Sequence, residues 1–174
     1  SGLDNLSRNS AYLFISNHRD ITLDPALINY GLYLNSFPTV RIAIGDNLLR
    51  KNYVTDLMKL NKSFIVKRRL NGVREKIKVY MELSNYISNS VRAGHSIWIA
   101  QSEGRAKDGL DYTDPALMKM LYMSKKKSTY SFSEHINNLR IVPVSISYEY
   151  DPCDCIKAIE LNMKLDGDGY IKSD

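Results

Sequence analysis

The chain has 174 residues, 44% of them hydrophobic and 25% charged, which suits one globular domain with a real core and leaves little room for two. No run of eighteen apolar residues occurs, which excludes a spanning helix from this stretch, and no signal peptide opens it; the first residue is Ser1, as in a processed, engineered or partial chain. The formal net charge of +5 favours anionic partners such as phosphorylated metabolites, lipid head groups, phosphopantetheine carriers or nucleic acid.

Taken in order, Tyr12 to Ser16 reads as a buried strand. It runs into Asn17-His18-Arg19-Asp20-Ile21-Thr22-Leu23-Asp24-Pro25, which sets one of only three histidines at a strand end beside two aspartates. Strand-end loops are where α/β folds place reactive groups. An imidazole is suited to take a proton near neutral pH, provided an acceptor on its other nitrogen fixes the tautomer. Asp20 and Asp24 are both candidates for that acceptor. Aspartate before proline is also an N-cap followed by N1, so Asp24 is expected to cap a helix over Pro25–Tyr33, a role compatible with a catalytic one. The same Asp-Pro-Ala-Leu recurs at 114–117, where Asp114 is expected to be a cap.

Val40 to Ile44 reads as a strand, Leu48 to Leu60 as a helix and Ser63 to Val66 as a short strand. The last ends on Lys67-Arg68-Arg69, stacked positive charge that suits a phosphate. Val73, Ile77, Tyr80, Ser84, Ile87 and Val91 recur at helical spacing, so residues 73–92 form the best amphipathic helix. Ser96 to Ala100 is a strand, and Glu103-Gly104-Arg105-Ala106-Lys107-Asp108-Gly109 follows it. Two glycines there let the backbone approach a ligand, with Arg105 and Lys107 as donors. Asp114-Pro115 opens a helix to about Met123. Ser124 to Ser133, which holds Lys125-Lys126-Lys127, is expected to be a loop. Ile141 to Tyr148 is a strand whose Pro143 requires an edge or a bulge.

His95 and His135 have no motif around them and are expected at loop or surface positions. Cys153 and Cys155, two residues apart without a second pair, make a poor zinc site and fit a reduced, intracellular chain; no metal is implied. Residues 164–174 partly match a calcium loop at Asp166, Asp168, Gly169 and Ile171, but Lys164 stands at the first ligand position, so a turn is expected. Strands alternating with helices indicate an α/β layered domain. The basic clusters lack a nucleic-acid recognition motif, so no nucleic acid is expected as a partner.

Four segments, NHRDITLD, KSFIVKR, SEGRAKDG and IVPVSISYE, occur in an order that resembles the glycerolipid acyltransferases, the group of glycerol-3-phosphate and 1-acylglycerol-3-phosphate acyltransferases. That family carries N-H-x4-D, F-I-x-R, an E-G-(T/G)-R-S block and V-P-V/I. The resemblance covers roughly residues 11–150. This chain departs by placing five residues between His18 and Asp24, by lacking a glycine before its second block, and by running directly from Gly104 to Arg105.

The resemblance implies an α/β fold with a central mixed, largely parallel sheet flanked by helices, in one domain spanning 1–174. It implies transfer of a fatty acyl group from a CoA or acyl-carrier-protein thioester to a hydroxyl of glycerol-3-phosphate or a lysophospholipid. His18 would be the general base, and Asp24 (or Asp20) would orient it. Arg68 with Lys67 would grip the acceptor's phosphate, Glu103, Gly104 and Arg105 would complete that site, and Pro143 would shape the acyl-donor wall. Asn17 or a backbone N–H at the start of the next helix would meet the oxyanion. No bound cofactor is implied, and the expected location is cytoplasmic, peripheral on the inner face of the cell membrane. The other reading is a non-catalytic lipid- or thioester-binding domain of the same fold, for which the five-residue spacing is the best support.

Overall fold

The computed structural model describes residues 2–49, 51–68, 70–125 and 130–165. Lys126, Lys127 and Arg69 of the basic clusters, and the calcium-loop positions from Asp166 onward, lie outside the described residues.

Five short strands form one sheet: β1 (Leu13–Ser16), β2 (Arg41–Gly45), β3 (Ser63–Val66), β4 (Ile97–Ala100) and β5 (Ile141–Val144), in spatial order β3-β2-β4-β1-β5. Each ladder is parallel, so the antiparallel component expected of a mixed sheet is absent among the described residues. The reason is that a helix carries the chain back after every strand, as parallel pairing requires. These helices are α1 (Leu23–Leu34), α2 (Asn52–Leu60), α3 (Val73–Arg92), and the pair α4 (Pro115–Tyr122) and α5 (Phe132–Asn138). A last helix, α6 (Asp154–Leu165), follows β5.

Alternation along the strands divides the core in two. Leu13, Ile97, Ile99, Ala43 and Phe64 face α3, α4 and α5 and pack with Leu83, Ile87, Met120 and Leu121. Phe14, Ile42, Ile44 and Trp98 face the opposite way, against Ile28 and Leu32 of α1 and Met58 of α2. Connections leaving β1 and β2 therefore return over one face, and those leaving β3 and β4 over the other. Neighbouring β2 and β4 send their chains to opposite sides, which opens a crevice at the carboxyl ends of the strands.

Several expectations shift. The predicted stripe of α3 holds from Tyr80 onward, but Val73 and Ile77 are exposed. The strand expected to reach Tyr148 ends at Val144, because its partner β1 ends at Ser16 and turns away. The Asn17 side chain replaces the missing ladder, accepting from the Ile146 N–H and donating to its carbonyl, both at 2.8 Å. Pro143 does sit on an edge strand. His135 is not a surface residue: it is buried in α5 and its Nε2 lies 2.9 Å from the carbonyl of Leu121, at the end of α4, which also accepts from buried Ser84. Part of the expected 124–133 loop is instead the head of α5, opened by a capping box between Ser131 and Glu134.

Candidate active site

The turn after β1 is wired by its own residues. Asp24 is fully buried, and its Oδ2 accepts from His18 Nδ1 at 2.8 Å, from the Arg19 N–H at 2.7 Å and from the Asp20 N–H at 3.0 Å. Its Oδ1 accepts from the Tyr148 hydroxyl at 2.7 Å. Asp24 is thus the partner of His18, and it is not the helix cap: α1 begins one residue earlier, at Leu23. Asp20 does the capping work, its Oδ1 accepting from the N–H groups of Thr22 and Leu23 at 2.9 and 2.7 Å. The two aspartates divide the roles the sequence left open. Asp114, as expected, caps α4 through the Ala116 N–H at 2.8 Å.

Electrostatics follow from this wiring. Burial pushes the Asp24 carboxyl up, but the hydrogen bonds from His18, Tyr148, Asp20 and Arg19 outweigh it and hold the group below its ordinary value. Asp24 is therefore ionised at neutral pH and can only accept, so in the bond between them His18 Nδ1 is the donor. Burial, followed by the bond to Asp24, pushes the Tyr148 hydroxyl far up, so it remains a donor. The His18 ring stands edge-on to Trp98, centroids 5.8 Å apart, and Trp98 is itself pinned by donating to Ser16 Oγ at 2.9 Å.

His18 opens on a cavity of about 300 Å³ at the carboxyl edge of the sheet. Loops after β1, β2, β3 and β4 all reach it. Lys67, Arg68, Glu103, Gly104 and Arg105 line its polar side, so five of the predicted ligand-binding residues meet around His18. Its other wall is apolar and runs between the sheet and α3/α4, with Ala43, Val66, Tyr80, Leu83, Leu117 and Met120. Pro143 is the exception: it is exposed on β5 and does not line this cavity.

The cations are held locally. Arg68 lies across Gly45 at the end of β2; a Cβ added there would stand 2.5 Å from its Nε and 2.9 Å from its Cζ. The Arg68 N–H donates to Asp46 at 3.2 Å. Gly104 takes φ 82°, a left-handed conformation that glycine adopts without penalty, and this bends the loop between Glu103 and Arg105. Arg105 Nε is buried without an acceptor among the described residues.

Other expectations are overturned. Asn17 cannot serve an oxyanion: its amide is spent on Ile146 and, at 3.1 Å, on Asp111. The N–H groups of Arg19, Asp20, Thr22 and Leu23, at the start of α1, are likewise engaged by Asp24 and Asp20. Lys107 points away from the cavity and pairs with buried Glu160 of α6.

Three contributors escaped the sequence reading. Tyr148 reaches Asp24 from beyond β5, a contact across 124 positions with no local pattern. Lys76 lines the cavity with its Nζ 5.6 Å above the Tyr80 ring; it lies one turn before Tyr80 and two before Leu83, so helical spacing could have placed it. Arg19 ties the loop after β4 to the loop after β1, donating to Asp111 at 2.8 Å and to the Gly109 carbonyl at 3.1 Å.

A family model described as Acyltransferase matches residues 1–147. No curated protein matches the chain.

Proposed function

The chain belongs to the acyltransferase family, and from that premise we propose that it moves a fatty acyl group from a CoA or acyl-carrier-protein thioester to a hydroxyl of a glycerophosphate-type acceptor, either glycerol-3-phosphate or a lysophospholipid. The observation that carries the reading is the joining, in one cavity, of a carboxylate-braced imidazole, a cluster of cations and an apolar slot.

In this reading the acyl chain lies along Val66, Tyr80, Leu83, Leu117 and Met120, and the acceptor's phosphate meets Arg68, Lys67 and Arg105. His18 Nε2 takes the proton of the acceptor hydroxyl as its oxygen attacks the thioester carbonyl carbon. The tetrahedral intermediate collapses, the carbon–sulfur bond breaks, and the imidazolium returns the proton to the leaving thiolate. Asp24 stays ionised throughout and stabilises the imidazolium. A positioned base of this kind contributes about 10²–10⁴-fold; holding hydroxyl and thioester together supplies much of the rest.

The binding-only alternative drew on the five-residue spacing between His18 and Asp24. With the two side chains 2.8 Å apart, that spacing no longer favours it. The test is a panel of glycerol-3-phosphate, lysophosphatidate and phosphate-free hydroxylated lipids with labelled acyl thioester, run on wild type and His18→Ala. Transfer to a phosphate-bearing acceptor that His18→Ala abolishes is the expected result. Thioester binding without transfer in either protein would refute the reading.

A further inference from the structure

Helix α1 is apolar on two opposite sides. Pro25, Ile28 and Leu32 turn inward toward the sheet. Leu23, Leu27, Tyr30 and Leu34, at i, i+4, i+7 and i+11, form a second stripe that stands in solvent, with Tyr30 and Leu34 each 60% exposed. Residues 21–40 contain a single charged side chain, and it is the buried Asp24. The outer face of α1 therefore carries none of the charge that a solvated helix presents. Helix α2, over the same face of the sheet, repeats the pattern with Tyr53, Leu57 and Leu60, the last 82% exposed. Contiguous apolar surface of this kind marks an interaction face.

The surrounding charge indicates what covers it. Lys51 and Lys59 at the two ends of α2, and Lys62 just beyond, are exposed; Asp56 is the one acidic side chain within α2. Lys51 Nζ stands 5.8 Å over the Tyr53 ring, and Lys62 Nζ lies 2.7 Å from Thr39 Oγ1, so two of these cations rise beside the apolar stripes. Leucine flanked by tyrosine, with a lysine rim, is the composition that seats helices in the interfacial layer of an anionic bilayer.

We infer that the α1/α2 layer is a docking face for an anionic lipid surface. Leu23, Leu27, Tyr30, Leu34, Leu57 and Leu60 enter the head-group boundary while Lys51, Lys59 and Lys62 meet the phosphates. Among the described residues no helix is long and apolar enough to cross a membrane, so attachment through this layer is in-plane. The inference deepens the acyl-transfer reading and rests on it for the choice of a lipid over a protein surface. Helix α1 starts just after the strand end that carries His18.

The test sediments the full chain with vesicles of phosphatidylcholine alone or mixed with phosphatidylglycerol, and assays turnover on soluble short-chain thioester and glycerol-3-phosphate in parallel. Wild type is expected to follow the mixed vesicles, less so as salt rises. Leu27→Glu with Leu34→Glu should cut partitioning by about 100-fold, roughly tenfold for each half-exposed leucine. Reversing Lys51, Lys59 and Lys62 to Glu should abolish the preference for anionic vesicles. Circular dichroism and soluble turnover should be unchanged in both variants. Wild type left in the supernatant, variants that bind like wild type, or a homodimer that the leucine variant dissolves would each overturn the inference. Vesicle binding without turnover on any acceptor would leave it standing and sink the acyl-transfer reading alone.

Discussion

Two loops meet at the cavity, and they are held in opposite ways. The His18–Asp24 turn is fixed from within: three of the four bonds to the Asp24 carboxylate come from residues four to six positions away, and Asp20 closes the same turn. The 101–111 loop is fixed from outside. Ala106 N–H donates to the His18 carbonyl at 2.8 Å, Arg19 binds Asp111, and Lys107 reaches across to Glu160 of α6. The His18–Asp24 pair is thus a local device, and the loop that carries Arg105 is a tertiary one. Disturbing the first should remove chemistry, and disturbing the second should loosen binding.

The comparison is broken most directly at His18. His18→Ala should lower kcat by about 10²–10⁴-fold with little change in KM, read by steady-state kinetics. Asp24→Asn should cost somewhat less in rate, about 10²–10³-fold, because the ring loses the acceptor that fixes its tautomer. It should also destabilise the fold, by about 1.5–3 kcal/mol for a lost charged acceptor, as read by thermal melting.

That stability term has a pH signature. The Asp24 value is depressed when folded, so its contribution is fully present above the ordinary 3.8 and is lost as pH falls through the folded value. Urea unfolding at pH 7 and again well below pH 3.8 should show the gap between wild type and Asp24→Asn narrowing in acid.

At the tertiary loop the signature should invert. Glu160→Ala removes the buried carboxylate that pairs with Lys107, which costs about 3–5 kcal/mol of stability. It should raise KM for the acceptor about tenfold, roughly the 1–2 kcal/mol of a weakened charged contact, while kcat stays within about twofold. A Lys107→Met, Glu160→Leu pair should recover the Tm. Tyr148→Phe sits between the two regimes and should show the smallest effect, about threefold to tenfold in kcat, for one hydrogen bond taken from Asp24. A larger loss in Tyr148→Phe than in Asp24→Asn would contradict the local account of the first loop.

The same division explains what the sequence discloses. The strands are legible because parallel strands buried on both faces read as short apolar runs. His18 with Asp24 is legible because its wiring is contained within seven residues. Tyr148 is not, since only the return of β5 beside β1 brings it to Asp24. Helix α6 is hidden for a different reason. Lys157 and Glu160 point inward to Asp151 and Lys107, while Ile156, Ile159 and Met163 face out, so a search for an apolar inner stripe finds its faces reversed. His135 misled because a histidine without a motif is ordinarily a surface residue, whereas here its ring satisfies a buried helix-end carbonyl.

Gly45 has a consequence for how ligand preference can change. What a larger residue would meet there is the far end of a long, flexible arginine and the side chain of Asn47, not the backbone. A single methyl group there would have to displace both the Arg68 head and the Asn47 side chain, the nearer of the two. The place of the Arg68 cation in the cavity is in this sense governed by a missing atom at residue 45.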